Sequence, residues 1–153
     1  MPLLNGCNHI ALVTEDVDRF VTFYKAIFDG TVIDDMTEGP LRHVLLDIGG
    51  VVLHPFELSE ASGQEHGSAE MFARGHIDHF GLDVADAAVF EELRRRLVEA
   101  GASDGMVTDF GITRNVWFED PDGMGCEIVQ WVGAPMLSFD DRIQETYEPQ
   151  PVG

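Results

Sequence analysis

Basic side chains are scarce in this sequence: nine Lys and Arg stand against 28 Asp and Glu among 153 residues, a formal net charge of −19. Holding a phosphate backbone or an anionic lipid surface needs clustered cations, so neither nucleic acid nor a membrane surface is an expected partner. Cysteine is nearly absent. The two present, Cys7 and Cys126, are too few for a disulfide framework and do not form a C-x-x-C pair, which fits a reducing compartment. No apolar run approaches the roughly 18 residues of a membrane span, and the opening MPLLNGCNHI lacks the charged and apolar regions of a signal peptide. The cytoplasm is the expected location. No low-complexity tract interrupts the chain.

What remains is a globular composition, 44% hydrophobic and 24% charged, too apolar to stay disordered. A chain of about 150 residues buries roughly 70% of the surface its unfolded form exposes, so a core needs no staples.

Internal repetition organises the sequence. Laying His9-Ile-Ala-Leu over His79-Phe-Gly-Leu also pairs Asp16 with Asp86 and Phe20 with Phe90, all at an offset of 70 residues. Further on, Asp47, Gly50 and His54 fall over Asp120, Gly123 and Glu127 at an offset of 73. A slip of three is what loop insertions produce. The chain is expected to be one domain of two copies of a module: residues 5–56, a Ser-, Gly- and Glu-rich linker at 57–75, a second copy at 76–132 and an acidic tail at 133–153.

Each copy reads as β-α-β-β-β. A strand (His9 to Val13; His76 to Val84) leads to Asp16 or Asp86, whose carboxylate suits a helix N-cap. Phe20, Phe23, Tyr24, Ala26 and Ile27, and then Val89, Phe90, Leu93, Leu97 and Ala100, approximate the stripe that packs a helix on a sheet. Gly30 and Gly101 stand where a helix end favours left-handed geometry. Three short strands follow each glycine: Thr31 to Met36, Leu41 to Ile48 and Val51 to Pro55, then Met106 to Asp109, Thr113 to Glu119 and Met124 to Trp131. Asp120-Pro-Asp-Gly123 is a turn signal. The tail is expected to be an arm or lid with at most a short helix near Ser138 to Tyr147.

The coincidences of the repeat carry the chemistry. His9 and His79 hold equivalent places in the first strand of each copy, and His54 and Glu127 in the last. Should the copies pair about a pseudo-twofold axis, these four positions converge, and three imidazoles with one carboxylate form a metal site. Such donors suit Zn, Ni, Co, Mn or Fe, whereas Ca or Mg would draw oxygen ligands. Glu57, three residues after His54, is an alternative ligand. Arg114 is a candidate to pair a substrate anion or to form a surface salt bridge. Trp117, Phe118, Phe110, Phe72 and Trp131 read as either cup walls for a planar ligand or sheet-helix core, with core the favoured role for most, and alternation sets Trp117 and Phe118 on opposite sides. Cys7 reads as filler, and Cys126 faces the helix layer, away from Glu127. His43 reads as an outward strand residue, and His66 and His76 as linker residues.

Asn8-His9-Ile-Ala-Leu, Asp78-His79-Phe-Gly-Leu and Phe118-Glu-Asp-Pro-Asp-Gly-Met-Gly-Cys-Glu127-Ile-Val-Gln resemble the vicinal oxygen chelate superfamily, which includes glyoxalase I, methylmalonyl-CoA epimerase, extradiol dioxygenases and the fosfomycin and bleomycin resistance proteins. The resemblance spans nearly residues 5 to 132. It implies an α+β fold of two paired βαβββ modules forming an open mixed-sheet cup around a divalent metal ion, usually in a homodimer, with His9, His79 and Glu127 at the recurrent ligand places and His54 at the variable fourth.

Glyoxalase I normally has a carboxylate at that fourth place and the epimerases Gln. Extradiol dioxygenases use two His and one Glu, together with a further His and a Tyr, for which His43 and Tyr24 are the nearest candidates. No subfamily is matched cleanly. The implied function is a lyase, isomerase or ring-cleaving dioxygenase acting on a small oxygenated metabolite, with Glu127 also able to move a proton; Arg114 and Trp117, read from the residues alone, are the candidate substrate contacts. The alternative is a non-catalytic protein that binds an antibiotic or natural product in the same cup.

Overall fold

The computed structural model describes residues 7–58 and 77–149. The chain divides into two compact units, residues 1–67 and 68–153, and the division falls inside the stretch read as a linker. His66, Phe72, His76 and nearly all of that linker lie outside the described residues.

In the first unit, β1 (His9–Thr14), α1 (Val17–Phe28), β2 (Thr31–Glu38), β3 (Leu41–Asp47) and β4 (Val52–Glu57) follow in order. The sheet order is β1-β4-β3-β2, with β1 parallel to β4 and the other pairs antiparallel. Helix α1 begins where Asp16 accepts a hydrogen bond from the Arg19 amide at 2.9 Å. A second acceptor reaches the same end: Glu57 Oε2 takes the Val17 amide at 2.9 Å. Glu57, weighed above as a ligand, is therefore occupied as a helix cap.

The helix buries Val17, Phe20, Tyr24 and Ile27 over Val44, Leu46 and Leu53 of the sheet. Tyr24 is fully buried in this core, its ring tilted against that of Phe20 with centroids 4.7 Å apart, so it is a packing residue and not a site residue. The left-handed residue ending α1 is Asp29, at φ 56, rather than Gly30. Gly30 is required for room instead, since a Cβ there would lie 3.2 Å from the Tyr24 carbonyl oxygen.

The second unit repeats the plan with β5 (Phe80–Asp83), α2 (Ala87–Glu99), β6 (Val107–Asp109), β7 (Thr113–Glu119) and β8 (Gly125–Trp131), and adds β9 (Ile143–Glu145). The sheet order is β5-β8-β7-β6-β9, again with its first two strands parallel. Asp86 caps α2 by accepting from the Ala88 and Val89 amides, both at 2.9 Å. The turns before the last strands also correspond. Asp47 Oδ1 accepts from the Gly49 amide at 2.8 Å and Asp120 Oδ1 from the Asp122 amide at 2.9 Å.

Two expectations change here. Helix α2 buries Phe90, Arg94 and Leu97, while Val89 is exposed, so an arginine replaces an aliphatic residue on the packed face. A buried guanidinium is tolerable only with its donors satisfied. Arg94 Nε donates to the Gly105 carbonyl at 2.6 Å and Nη1 to Glu145 Oε1 at 2.9 Å, and the Tyr147 ring lies 5.2 Å from the guanidinium carbon. Glu145 and Tyr147 belong to the tail. The tail is thus no helix: it runs back as β9 along β6, with Thr108 opposite Gln144. No helix among the described residues is long and apolar enough to cross a membrane.

Candidate metal and ligand site

In the second unit the parallel register sets Gly81 of β5 beside Glu127 of β8, and the antiparallel register sets Trp117 of β7 on its other side. Alternation sends Cys126, Ile128, Val116 and Phe118 into the core. It leaves Glu127, Asn115 and Trp117 on the opposite face, where they join His79, two residues ahead of Gly81 on the same face, in lining a cleft of about 820 Å³.

Each polar group here has one atom tied and one free. His79 Nδ1 donates to Asp78 Oδ2 at 2.7 Å, because a carboxylate can only accept, and this leaves Nε2 with its lone pair. Glu127 Oε2 accepts from Asn115 Nδ2 at 2.7 Å, leaving Oε1. These two free atoms face each other at 3.9 Å, too far for a hydrogen bond. Gly81 makes the space: a Cβ there would lie 3.2 Å from Glu127 Oε1 and 3.1 Å from Val129 Cγ2. Trp117 stands edge-on to His79, ring centroids 5.3 Å apart, over Gly125, where a Cβ would come within 2.6 Å of the indole. Asn115 Oδ1 is buried without a hydrogen-bond partner among the described residues.

The first unit holds the counterpart. His9 Nδ1 meets Asn8 Oδ1 at 2.9 Å, which again leaves Nε2. Ala11 sits beside His54 in the parallel register, as Gly81 sits beside Glu127. The His9 and His54 rings are 5.7 Å apart. His43, read as outward, is buried, and its Nδ1 bonds His54 Nε2 at 2.8 Å, leaving Nδ1 as the free nitrogen of His54. Burial first, then the nearby His43 and His9, holds the His54 pKa below its ordinary value. The imidazole is therefore neutral near pH 7, the form that binds a metal.

The structure thus brings the four expected ligands together as two pairs, His9 with His54 and His79 with Glu127. Among the described residues no group of three or more His, Cys, Asp or Glu side chains forms a metal-holding cluster. The donor set still fits a transition ion: imidazole nitrogens and a carboxylate oxygen are left free by partners on their other atoms, the arrangement that orients metal ligands.

Trp117 faces the cleft as one of the two alternatives required. Arg114 does not. It lies on the helix side of β7, 5.1 Å over the Phe90 ring, with Nη2 3.4 Å from Glu145 and 3.5 Å from Glu91. The salt-bridge reading describes it. Sequence reasoning missed the orienting residues Asn8, Asp78 and Asn115, although Asn8 and Asp78 stand next to the paired histidines and follow the same repeat; from sequence, His43 stands only as the nearest candidate for a further histidine of a dioxygenase-type site.

Comparisons with known proteins place this geometry. The family model described as Glyoxalase/Bleomycin resistance protein/Dioxygenase superfamily matches residues 6–128. No protein of curated function matches the sequence. Among solved structures, a glyoxylase/bleomycin resistance protein/dioxygenase domain from Frankia sp. EAN1pec aligns with a TM-score of 0.68 at 21% identity, covering 84% of this chain and 93% of that one. FosX, a fosfomycin resistance protein from Listeria monocytogenes solved with Mn(II) and a sulfate ion, aligns with a TM-score of 0.60 at 17% identity over 84% and 93% of the two chains. Leishmania major glyoxalase I aligns with a TM-score of 0.57 at 20% identity over 80% and 84%. At these identities the likeness is one of fold.

Proposed function

We propose, from the premise that this chain belongs to the Glyoxalase/Bleomycin resistance protein/Dioxygenase superfamily, that it is a divalent-metal-dependent enzyme acting on a small oxygenated metabolite. The observation that carries this reading is the 3.9 Å approach of His79 Nε2 and Glu127 Oε1, each freed by a partner on its other atom. The candidate ligands are His79 and Glu127 in the second unit and His9 and His54 in the first, and Fe, Mn, Co, Ni and Zn all suit the donors. Such an ion, when bound, polarises substrate oxygens as a Lewis acid.

The chain's own groups do the rest. Asp78 and Asn115 hold His79 and Glu127 in orientation. Glu127 Oε1 can take or return a proton at a substrate carbon next to a carbonyl, since Asn115 occupies only Oε2. Trp117 walls the cleft beside them. A lyase, an isomerase and a ring-cleaving dioxygenase all draw on this set. The family resemblance also suggests a homodimer, which light scattering would measure.

The test is the metal content of purified protein, followed by reconstitution with each of the five ions. The expected result is uptake that His79→Ala and Glu127→Ala abolish while the fold survives. Less than about a tenth of an equivalent, with no gain on reconstitution, would overturn the metal reading. Loaded forms would then be screened with glutathione hemithioacetals, catechols and acyl-CoA thioesters. A second reading, binding of an antibiotic or natural product without turnover, draws on the aromatic walls Trp117, Phe110 and Phe139 of the same cleft. Ligand uptake by metal-free protein with no turnover in any loaded form would favour it.

A further inference from the structure

The cleft of the second unit also contains a cation that the metal reading does not use. Arg142 and Phe139 line it, and both lie beyond residue 128, where the family match ends.

Arg142 differs from the other arginines of the described second unit. Arg94, Arg95, Arg96 and Arg114 each pair with a carboxylate: Glu145, Glu99, Glu92 and, for Arg114, Glu91 and Glu145. Arg142 makes no ion pair among the described residues. Its Nη1 donates to the Phe139 carbonyl and its guanidinium carbon lies 3.9 Å from the Phe139 ring centroid. With five N–H donors on a guanidinium, most remain open. Three carboxylates, Asp104, Glu119 and Glu127, line the same cleft; Asp104 Oδ1 accepts the Met106 amide at 2.8 Å and Glu127 Oε2 the Asn115 side-chain amide at 2.7 Å, and none of the three forms an ion pair with Arg142 among the described residues. In a chain of net charge −19, a guanidinium without a counter-ion inside a concave site is the local attractor for an anion.

The segment carrying it is fixed at both ends. The Leu137 amide donates to the Phe110 carbonyl at 2.7 Å, and a Cβ on Gly111 would collide with the Pro135 carbonyl. Beyond Arg142, β9 pairs with β6 and Glu145 is held by Arg94. Thr108 and Gln144, opposite each other across those strands, line the cleft as neutral polar groups. Phe139 is 68% exposed, and its ring, with Arg142 over one face, lies 6.4 Å from that of Phe110 at an angle of 32°, a pair of apolar rings beside the guanidinium.

We propose that Arg142 and Phe139 form an oxyanion subsite of the cleft. It takes the carboxylate or phosphonate of a ligand whose apolar or aromatic body lies on Phe139 and Phe110, with its reactive end toward His79 and Glu127. This rests on the reading of the same cleft as the reaction site and names the substrate class: a small organic anion.

The experiment is isothermal titration of chelator-treated full-length protein with phenylphosphonate and phenylacetate, with benzyl alcohol as the uncharged control. Wild type is expected to bind both anions and not the alcohol. Arg142→Gln should weaken them by at least about tenfold, Arg142→Lys should restore part of the loss, Phe139→Ala should weaken both, and Arg95→Gln, an arginine of α2 outside this cleft, should leave binding unchanged. Circular dichroism and thermal melting establish that each variant is folded.

The subsite is overturned if wild type binds neither anion, if it binds the alcohol as tightly, or if folded Arg142→Gln matches wild type. Failure of the metal reading is separable: Arg142-dependent binding in a protein that takes up no metal leaves the subsite standing. A protein that takes up metal yet shows no Arg142 dependence loses the subsite alone.

Discussion

His43 and Asn115 hold the same station in their two units. His43 on β3 lies opposite Phe56, two residues past His54, and Asn115 on β7 lies opposite Val129, two residues past Glu127. Each reaches diagonally across its strand pair to bond the candidate ligand of the last strand, at 2.8 and 2.7 Å. Asn115→Ala is therefore expected to lower metal affinity by about 10- to 100-fold, the usual cost of losing an orienting partner, while the melting temperature hardly changes. Chelator competition measures the affinity. A variant that binds as tightly as wild type would remove Asn115 from that role.

Gly81 tests the same carboxylate from the other side. Its φ is not in the left-handed region, so Gly81→Ala introduces no backbone strain and acts only by crowding Glu127 Oε1 and Val129. Metal affinity should fall more than tenfold for a loss of only a few degrees in melting temperature. Gly125→Ala makes the complementary change, because its Cβ would intrude on the Trp117 ring at 2.6 Å. Near-ultraviolet circular dichroism should report the displaced indole. An unchanged tryptophan signal would mean that Trp117 does not rest on Gly125.

Much of the plan was legible because the repeat wrote it twice: strand, capped helix, three strands, and candidate ligands at matching ends. That His79 meets Glu127 comes from the parallel pairing of β5 with β8, which the repeat alone does not specify. What stayed hidden depends on contacts distant in sequence. Ile143-Gln-Glu145 carries no periodic signal, and it becomes a strand because β6 has a free edge and Arg94 waits for Glu145. His43 looked like an alternating outward residue, since nothing local marks its partner as another histidine eleven positions on. Arg142, in an acidic tail, gains meaning only when β9 brings it to the cleft.

Arg94 is the anchor of that arrangement. Its side chain is almost fully buried while Glu145 is more than half exposed, so Arg94→Met frees a carboxylate that water can solvate. The cost should be about 1–3 kcal/mol, below that of breaking a fully buried pair. The amides of Ile143 to Glu145 should then exchange faster than those of Thr113 to Glu119, and the Arg142-dependent anion affinity should fall with them. Equal exchange in variant and wild type would show that β9 holds without Arg94.

The outer face of α2 gives a pH signature independent of the site. The Glu92 carboxyl is lowered from 4.5 to about 2, chiefly by the hydrogen bond from Arg95 and next by that from Arg96. Folding thus favours its charged form, and the stabilisation is fully present above the unfolded value of 4.5. It fades as pH falls and is gone once the folded carboxyl protonates near 2. The Arg95 and Glu92 side chains are exposed and that of Arg96 is half-buried at the surface, so the effect is small and screened by salt. Wild type should melt a few degrees above Glu92→Gln at pH 7 and low ionic strength. The gap should narrow below pH 4.5 and close near pH 2, while the other carboxylates titrate alike in both proteins and cancel. A gap that persisted unchanged to pH 2 would show that the charge on Glu92 contributes nothing to the helix.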